Sequence, residues 1–428
     1  MNAPSHEKQI KLSEELQVLE VFWCPYARFR SDVTSVTSDR VPEDRNLCLL
    51  DHLVLAFATG NHGWTTAATM QLEGEKIIHL TLAMNGNPSD EDRHAATALL
   101  ELLHGSTGQS DEAFIHYLRR YAAPHLSNVI QEVGLRLSSF LEREFPLSEV
   151  KWTVDSDELP GLEEVQKSYN RHEGQHISDY VRALFHALHS KIQELQPCTI
   201  QSVRNASNDH IRSILFLAHH LSRARALQTL YTSRNKDLNI VFIGLFRYRL
   251  ARLGQYHTIM SAIIPSFQNS NSKLTVEWLH DAAHMQTIRL LRKPVQISLE
   301  AIPKPTVSIY DVLPNDEKEQ EEIMVGMMEY LQWKDVVEVS VHPEIRLILA
   351  AQSSTLPLVG VSDGPCACCR HWIRSCKGKK WKTSHGPPHL DWTWKLPGHD
   401  RRLDDAVCKE VSSVLTSEVC IEINRGWN

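Results

Sequence analysis

The sequence lacks any long hydrophobic run, which argues against a protein built around membrane-spanning helices. Its longest apolar stretch, Ile240–Phe246, is far shorter than the roughly 20 residues that one such helix needs. Residues 1–20 are polar and acidic, so we also expect no signal peptide. These absences predict an intracellular protein, cytoplasmic or nuclear, with no membrane partner.

The pattern of a disulfide framework is missing too. The nine cysteines are odd in number, and six of them lie between Cys366 and Cys420. Such clustering favours a reducing compartment, where cysteines bind metals or stay free. The sequence also contains neither GxSxG nor a phosphate-loop motif, so it gives no support for a serine hydrolase or a P-loop nucleotide-binding protein.

Two short motifs, HxE and PCxxC, contain the residue types of a catalytic zinc site. They are His342-Pro343-Glu344 and Pro365-Cys366-Ala367-Cys368-Cys369. A catalytic zinc needs three protein ligands and one open position for water, and His342, Cys366 and Cys369 supply such a set. Glu344 is then left to move protons.

The local sequence places each motif at the start of a helix that follows a strand. Val336–Val341 is rich in β-branched residues and predicts a strand, and His342–Gln352 predicts the helix after it. Leu356–Val361 and Cys366–Lys377 repeat this order. Cysteines three positions apart share one face of a helix near its N-terminus, where the helix dipole favours thiolates. The two units are therefore expected to bring the three ligands to the same end of a sheet.

The chain from about residue 305 to the C-terminus resembles the nucleic acid/nucleotide deaminase superfamily, which has the cytidine-deaminase-like fold. HxE followed by PCxxC is the signature of its zinc-dependent members. Within the superfamily, the segment is similar to a branch found in fungi that is related to bacterial toxin deaminases. The residues that match this branch are the lead-in Leu358–Ser362, with Val361 in place of an additional cysteine, then His385-Gly386, Trp394 and Leu396-Pro397.

The resemblance implies a hydrolytic deaminase that acts on a nucleobase in a nucleic acid or a nucleotide, with cytosine favoured over adenine. The residues that it implies are His342, Cys366 and Cys369 as ligands of Zn²⁺, Glu344 as the catalytic proton carrier, and His385 and Trp394 as walls of the substrate pocket. In such enzymes zinc activates a water that attacks the carbon bearing the amino group.

A basic, tryptophan-rich segment follows the second motif. Residues 370–402 contain nine lysines and arginines, only two acids, and four tryptophans, Trp372, Trp381, Trp392 and Trp394. Cations suit phosphates and aromatic rings stack on bases, so the segment predicts contact with a nucleic acid or nucleotide, and Trp381 becomes a third candidate for substrate binding. The alternative is that the tryptophans pack the domain while the lysines keep its surface soluble.

A literal HExxH, His172–His176, competes as a zinc motif. On a helix it would place two histidines on one face beside a glutamate, as in zinc proteases. The residues before it are polar, Gly174 weakens a helix, and Glu194 lies on the same predicted helix and cannot fold back as a ligand. We therefore expect a solvated helix face here.

Two alternatives to an active deaminase remain open. In the first, the protein is a binding module with a closed, structural zinc site, and His371, Cys376, His385 or Cys408 is the fourth ligand. In the second, the deaminase fold is inactive and the helical region contacts a protein partner.

The chain as a whole predicts an α+β protein in two parts. Residues 1–300 are interpreted as a mostly helical region of unknown role, and 305–428 as a zinc-dependent deaminase-like domain with the α/β three-layer architecture that the resemblance implies. A strand or hairpin at Lys76–Met84 interrupts the helices, and a linker at Ala301–Thr306 joins the parts. A helix over 314–333 precedes the first motif-bearing strand.

Overall fold

The computed structural model describes most of the chain, in separate ranges. They are 6–22, 44–60, 65–74, 77–105, 110–142, 158–232, 240–270, 272–279, 285–302, 333–353, 355–376, 380–384, 386 and 389–425. Over these ranges, no helix combines the length and the apolar character that crossing a bilayer requires.

Helices make up most of the described chain. In sequence order they are α1 (His6–Phe22), α2 (Arg45–Phe57), α3 (Asp90–His104), α4 (Ser110–Arg120), α5 (Ala123–Glu142), α6 (Leu162–Ser168), α7 (Ile177–Gln193), α8 (Ile200–Asn205), α9 (Asn208–Ser222), α10 (Arg225–Thr232), α11 (Ile240–Thr258), α12 (Ile264–Asn269), α13 (Pro294–Ala301), α14 (Pro343–Ala350), α15 (Ala367–Ser375) and α16 (Arg401–Arg425). A π-helical turn, Ile259–Ile263, joins α11 to α12.

The strands form one mixed sheet and one small ribbon. They are β1 (Thr66–Glu73), β2 (Ile77–Met84), β3 (Lys273–Trp278), β4 (Gln286–Arg289), β5 (Val336–Val339), β6 (Leu358–Val361) and β7 (Lys382–Thr383). The mixed sheet has five strands in the order β3-β2-β1-β6-β7, and β4 pairs with β5 in the ribbon. The α+β class predicted from the sequence is therefore confirmed.

An antiparallel hairpin forms the centre of the sheet. β1 and β2 pair along their whole length, from Thr66 opposite Met84 to Glu73 opposite Ile77. β3 adds to the outer edge of β2 in parallel. The prediction of a strand or hairpin at Lys76–Met84 is thus confirmed, with β2 beginning at Ile77.

The sheet takes strands both from the chain before residue 300 and from the chain after residue 305. β6 pairs with β1 in antiparallel register, with Ala67 opposite Val361, and β7 adds to the other edge of β6. Gly360 of β6 allows α2 to cross the sheet closely, because a Cβ atom at this position would lie 2.8 Å from Leu50 Cγ. The two predicted parts of the chain therefore share one sheet.

A second core joins α1 to the helices that carry the two motifs. Leu12, Leu16 and Leu19 of α1 are at most 1% exposed and pack in one cluster with residues of α15 and α16, including Trp372 and Leu415. Full burial of one leucine side chain stabilises a fold by about 1.5–3 kcal/mol. Through these contacts, α1 belongs to the same packing unit as α15.

The strands and helices predicted around the two motifs are present, with slightly shorter ends. The predicted strand at 336–341 is β5, and the predicted helix at 366–377 is α15. The expectation that both motif-bearing strands share one sheet was wrong, because β5 pairs with β4 in the ribbon whereas β6 lies in the five-stranded sheet. α13 ends at Ala301, where the predicted linker begins. Residues 303–332, which hold the rest of that linker and nearly all of the helix predicted at 314–333, lie outside the described ranges.

Candidate metal centre

The start of α14 positions His342 and Glu344. The chain leaves β5 at Val339 and reaches His342 at the N-cap of α14, where φ is −63° and ψ is 151°. Pro343 occupies the first helical position, where its missing N–H costs no hydrogen bond. Glu344 follows within the first turn, so both side chains lie at one helix N-terminus.

The start of α15 positions Cys366 and Cys369. Cys366 is the N-cap residue, and its Sγ accepts a hydrogen bond of 3.4 Å from the backbone N–H of Cys369. The turn between β6 and this helix contains Gly364 at φ +76°, a conformation that glycine adopts without strain. The positive end of the helix dipole at this N-terminus favours the thiolate form of a cysteine.

Four side chains from these two helix starts converge inside the protein. One ligand atom from each of His342, Glu344, Cys366 and Cys369 lies within 4.8 Å of the others. His342 Nδ1 is 3.5 Å from Cys366 Sγ, and no member of the group is more than 3% exposed. The structure thus brings together the three predicted metal ligands and the predicted catalytic glutamate in a buried cluster that can hold a metal ion.

A carboxylate orients the imidazole of His342. Asp391 Oδ2 lies 3.2 Å from His342 Nε2, which is an ion-pair distance. The backbone N–H of Thr393 donates to Asp391 Oδ1 at 2.9 Å and fixes the carboxylate. Burial acts to raise the pKa of Asp391, but His342 and the Thr393 hydrogen bonds hold that pKa well below its usual range. A carboxylate on one ring nitrogen leaves the other nitrogen facing the metal position, as is usual for metal-bound histidines.

The two cysteines of the cluster differ in proton affinity. Burial acts to raise the pKa of Cys366, but the hydrogen bond from Cys369 and the charge of His342 outweigh it, and the pKa lies well below its ordinary value. Burial and the neighbouring Cys366 raise the pKa of Cys369 well above its ordinary value. A bound cation favours the thiolate of both residues, so metal binding is expected to release a proton.

Trp394 contacts the cluster through its indole nitrogen. Nε1 donates a hydrogen bond of 3.0 Å to Cys369 Sγ, and the side chain is 0% exposed. Two contacts hold the segment around it: the Ser340 N–H donates to the Thr393 carbonyl at 2.9 Å, and Gln9 Nε2 of α1 donates to the Trp394 carbonyl at 3.0 Å. Such supporting groups orient a ligand and tune its affinity for metal.

Glu344 is the acid–base candidate in the cluster. Its side chain is 1% exposed, and Oε2 has no hydrogen-bond partner among the described residues. Burial raises the pKa of Glu344 to about 7. A carboxyl group that exchanges its proton near neutral pH is suited to general acid–base catalysis.

The three residues predicted to bind substrate have different surroundings. Trp381 is half-buried and packs against a small apolar cluster that includes Val359 and Val361. The N–H of Trp394 is already bonded to a cysteine sulfur. His385 lies outside the described residues. Their contact with a substrate stays a prediction.

The basic segment at 370–402 is used partly for packing and ion pairs. Trp372 and Trp394 are at most 1% exposed and belong to the core shared with α1, as the packing alternative predicts. Lys382 Nζ lies 3.0 Å from Asp44 Oδ2. Lys380 is exposed, so the surface of the segment keeps cationic character.

The HExxH segment is not the helix face that the sequence predicts. His172–His176 forms a mostly exposed turn in which Gly174 has φ +77°. His176 is the N-cap of α7, and its Nδ1 accepts from the backbone N–H of Ser178 at 3.3 Å. The helix prediction was wrong because the glycine adopts the left-handed conformation and the helix begins only after the motif.

The closed-site alternative requires a fourth ligand close to the cluster. Three of the four candidate ligands lie within the described ranges, and none of them belongs to the group around His342: they are His371, Cys376 and Cys408. The fourth candidate, His385, is not described. The geometry therefore offers one histidine and two cysteines with a glutamate beside them.

Replacement of Asp391 by asparagine should weaken metal binding by about 10–100-fold, as is typical when the outer partner of a metal-bound histidine is lost. Asparagine keeps the size of the side chain but removes the charge that holds His342 Nε2. Competition with a chelator would measure the affinity, and Glu410→Gln, at an exposed position of α16, is the matched control. Equal affinities for Asp391→Asn and wild type would contradict this role.

No protein-family model, no curated protein and no solved structure matches the chain. What the site does must therefore be argued from its residues and their geometry.

Proposed function

We propose that this protein is a zinc-dependent hydrolase that removes the exocyclic amino group of a nucleobase, with cytosine favoured over adenine. One observation carries the proposal: the HxE and PCxxC motifs meet in space, with His342, Cys366, Cys369 and Glu344 within 4.8 Å of one another. This combination of ligands and glutamate is the one that zinc-dependent nucleobase deaminases use.

The distances support zinc as the metal. Zinc binds histidine nitrogen at about 2.0–2.1 Å and cysteine sulfur at about 2.3 Å, so a nitrogen and a sulfur in one tetrahedral site lie about 3.5 Å apart. The separation of His342 Nδ1 and Cys366 Sγ is 3.5 Å. Cysteine thiolates with histidine also select zinc over magnesium or calcium, which prefer oxygen ligands.

The proposed chemistry assigns each residue one task. His342, Cys366 and Cys369 would hold zinc, which when bound supplies a water whose pKa is lowered toward neutrality. Glu344 would take a proton from the attacking water and pass it to the ring nitrogen of the base, while the water oxygen bonds to the carbon that carries the amino group. Glu344 would then move the proton of the new hydroxyl group to the amine, the carbon–nitrogen bond breaks, and water and cytosine yield uracil and ammonia.

The experiment that tests the proposal is an ammonia-release assay with zinc-loaded, full-length protein. The substrates would be nucleosides, nucleotides, single-stranded DNA and RNA, and duplexes. Because the basic segment carries cations and aromatic rings, we expect turnover on a cytosine-containing member that carries phosphate, and slower turnover on the adenine counterpart. Zinc binding with no ammonia from any member would contradict the proposal.

A second candidate function is a protein-interaction role with a structural metal. The observation that favours it is the depth of the cluster, since even its most exposed member, His342, is only 3% exposed. In that case Glu344→Ala would have no effect, whereas Cys366→Ser would unfold the surrounding domain. Wild-type levels of partner binding and fold in Glu344→Ala, together with absence of turnover, would support this candidate.

A further inference from the structure

A second group of possible metal ligands lies in the helical part of the chain. Glu164 of α6, His220 of α9 and His257 of α11 each place one ligand atom within 4.8 Å of the other two. None of these helices carries a residue of the His342 cluster. The group therefore needs an explanation of its own.

His220 is oriented so that one ring nitrogen remains available. Its Nδ1 lies 3.2 Å from the carbonyl oxygen of Pro160, and because a carbonyl only accepts, Nδ1 carries the proton. Nε2 of the neutral ring is then a lone-pair atom. It is buried without a hydrogen-bond partner among the described residues and lies 3.8 Å from Glu164 Oε2. A histidine that donates one N–H to a carbonyl and presents its other nitrogen has the arrangement of a metal ligand.

Gly161 allows the Pro160 carbonyl to reach this ring. It adopts φ +83°, and a Cβ atom there would lie 2.7 Å from His220 Cε1. Any other residue would therefore push the loop away from the imidazole. The same loop leads directly into α6, which carries Glu164.

His257 is the second buried imidazole with an unused nitrogen. It is 8% exposed, and its Nδ1 has no hydrogen-bond partner in the described part of the chain. The adjacent His219, whose ring centre is 4.9 Å away, is different. Its Nδ1 lies 3.3 Å from Thr258 Oγ1, and its Nε2 lies 3.3 Å from Arg223, which can only donate. Among these three neighbouring imidazoles, His220 and His257 each have a buried nitrogen without a hydrogen-bond partner in the described part of the chain. Both rings lie near the carboxylate of Glu164.

We propose that Glu164, His220 and His257 form a second metal site, which binds a divalent transition ion such as Zn²⁺. Two imidazoles and one carboxylate form a known zinc ligand set, and this set also accepts Co²⁺ and Ni²⁺. Ligand atoms of tetrahedral zinc lie about 3.3 Å apart when the bonds are about 2.0–2.1 Å long. The 3.8 Å between His220 Nε2 and Glu164 Oε2 closes with a small rotation of the Glu164 side chain, which is 60% exposed.

The ion would connect three helices that meet around one loop. α9 and α11 already pack along one another, whereas α6 is a short helix that follows residues 158–161. A metal bound by all three stabilises the folded bundle in proportion to its occupancy, because the unfolded chain does not hold the ligands together. The site is thus expected to raise the unfolding temperature of the helical region without any part in deamination.

Cobalt titration of the full-length protein distinguishes the two sites. Co²⁺ at the His342 cluster is bound by thiolates and gives a sulfur-to-metal charge-transfer band, whereas Co²⁺ at the second site has no sulfur ligand. We expect two equivalents to bind while the charge-transfer band saturates after one. Glu164→Ala should lower the affinity for the second Co²⁺, which gives no charge-transfer band, by about tenfold or more. The charge-transfer band of the first Co²⁺ should stay unchanged.

Two further variants complete the test. Glu163→Ala, at the neighbouring exposed position of α6, is the matched control and should bind cobalt like wild type. His257→Gln, checked for its fold by circular dichroism, should repeat the effect of Glu164→Ala. Uptake of only the thiolate-bound equivalent by wild type, or full uptake of both equivalents by Glu164→Ala and His257→Gln, would overturn this site. If wild type binds Co²⁺ but gives no charge-transfer band, the result would count against the His342 site and not against this one.

Discussion

Replacement of Glu344 by glutamine is expected to lower the rate of deamination by about 10²–10⁴-fold, the range that one general acid–base group contributes. Glutamine has the size and shape of glutamate but cannot take a proton from water or pass it to the ring. The metal ligands are untouched, so zinc content should equal that of wild type. Ammonia release and metal analysis on the same preparation would measure both quantities.

The pH dependence offers a second measurement on the same variant. Burial raises the pKa of Glu344 to about 7, so the carboxylate that accepts a proton is depleted as the pH falls below this value. A bound zinc beside this carboxyl opposes the effect of burial, so the turnover of zinc-loaded wild type should rise with pH in a limb that lies at or below about pH 7. The residual turnover of Glu344→Gln should lack this limb.

The matched control is Glu338→Gln, which alters an exposed glutamate on β5 close to the same helix start. It should retain wild-type turnover. Wild-type rates in Glu344→Gln would contradict the proposed proton transfer, and a loss of zinc in that variant would mean that Glu344 serves as a ligand.

A fragment of residues 305–428 is expected not to fold, although both motifs lie within it. It would lose β1, which pairs with β6, and α1, which packs on α15 and α16. The three buried leucines of α1 alone account for about 5–9 kcal/mol of apolar burial, at about 1.5–3 kcal/mol each. Native domains are stable by about 5–15 kcal/mol in total, so this loss is decisive.

Circular dichroism and thermal unfolding of the fragment would measure the effect. We expect no cooperative transition and no tight zinc binding. Addition of a separately expressed fragment of residues 1–302 should restore both, because it supplies the missing strand and helix. A cooperative transition with stoichiometric zinc in the isolated fragment would contradict the shared sheet and core.

The two motifs were located from the sequence because their signals are local. β-branched residues mark β5, the proline after His342 suits a first helical turn, and the cysteine spacing suits one face of α15. The same local rules failed at Gly174, where helix-compatible spacing was outweighed by a left-handed turn.

The residues that hold the metal ligands in place could not be predicted from these local rules. A metal-bound histidine is expected to have an outer partner, but nothing in the spacing of the sequence selects Asp391 from the other acids. Gln9, which fixes the segment of Trp394, is far from it in sequence and has no periodic signal. The pairing of β1 with β6 is equally non-local, since strand patterns show that a strand exists and not which strand lies beside it.

The place of the hairpin in the sheet has a consequence for biosynthesis. β2 can acquire β3 only after the helices from α3 to α12 have been made, and β1 must wait for β6 until residue 361 has been added. At ribosomal speeds of about 5–20 residues per second, the β1 edge stays unpaired for on the order of tens of seconds. The unpaired N–H and C=O groups of such a strand edge can form hydrogen bonds with strands of other nascent chains. Production of this protein in cells should therefore depend on chaperones that cover this edge during synthesis.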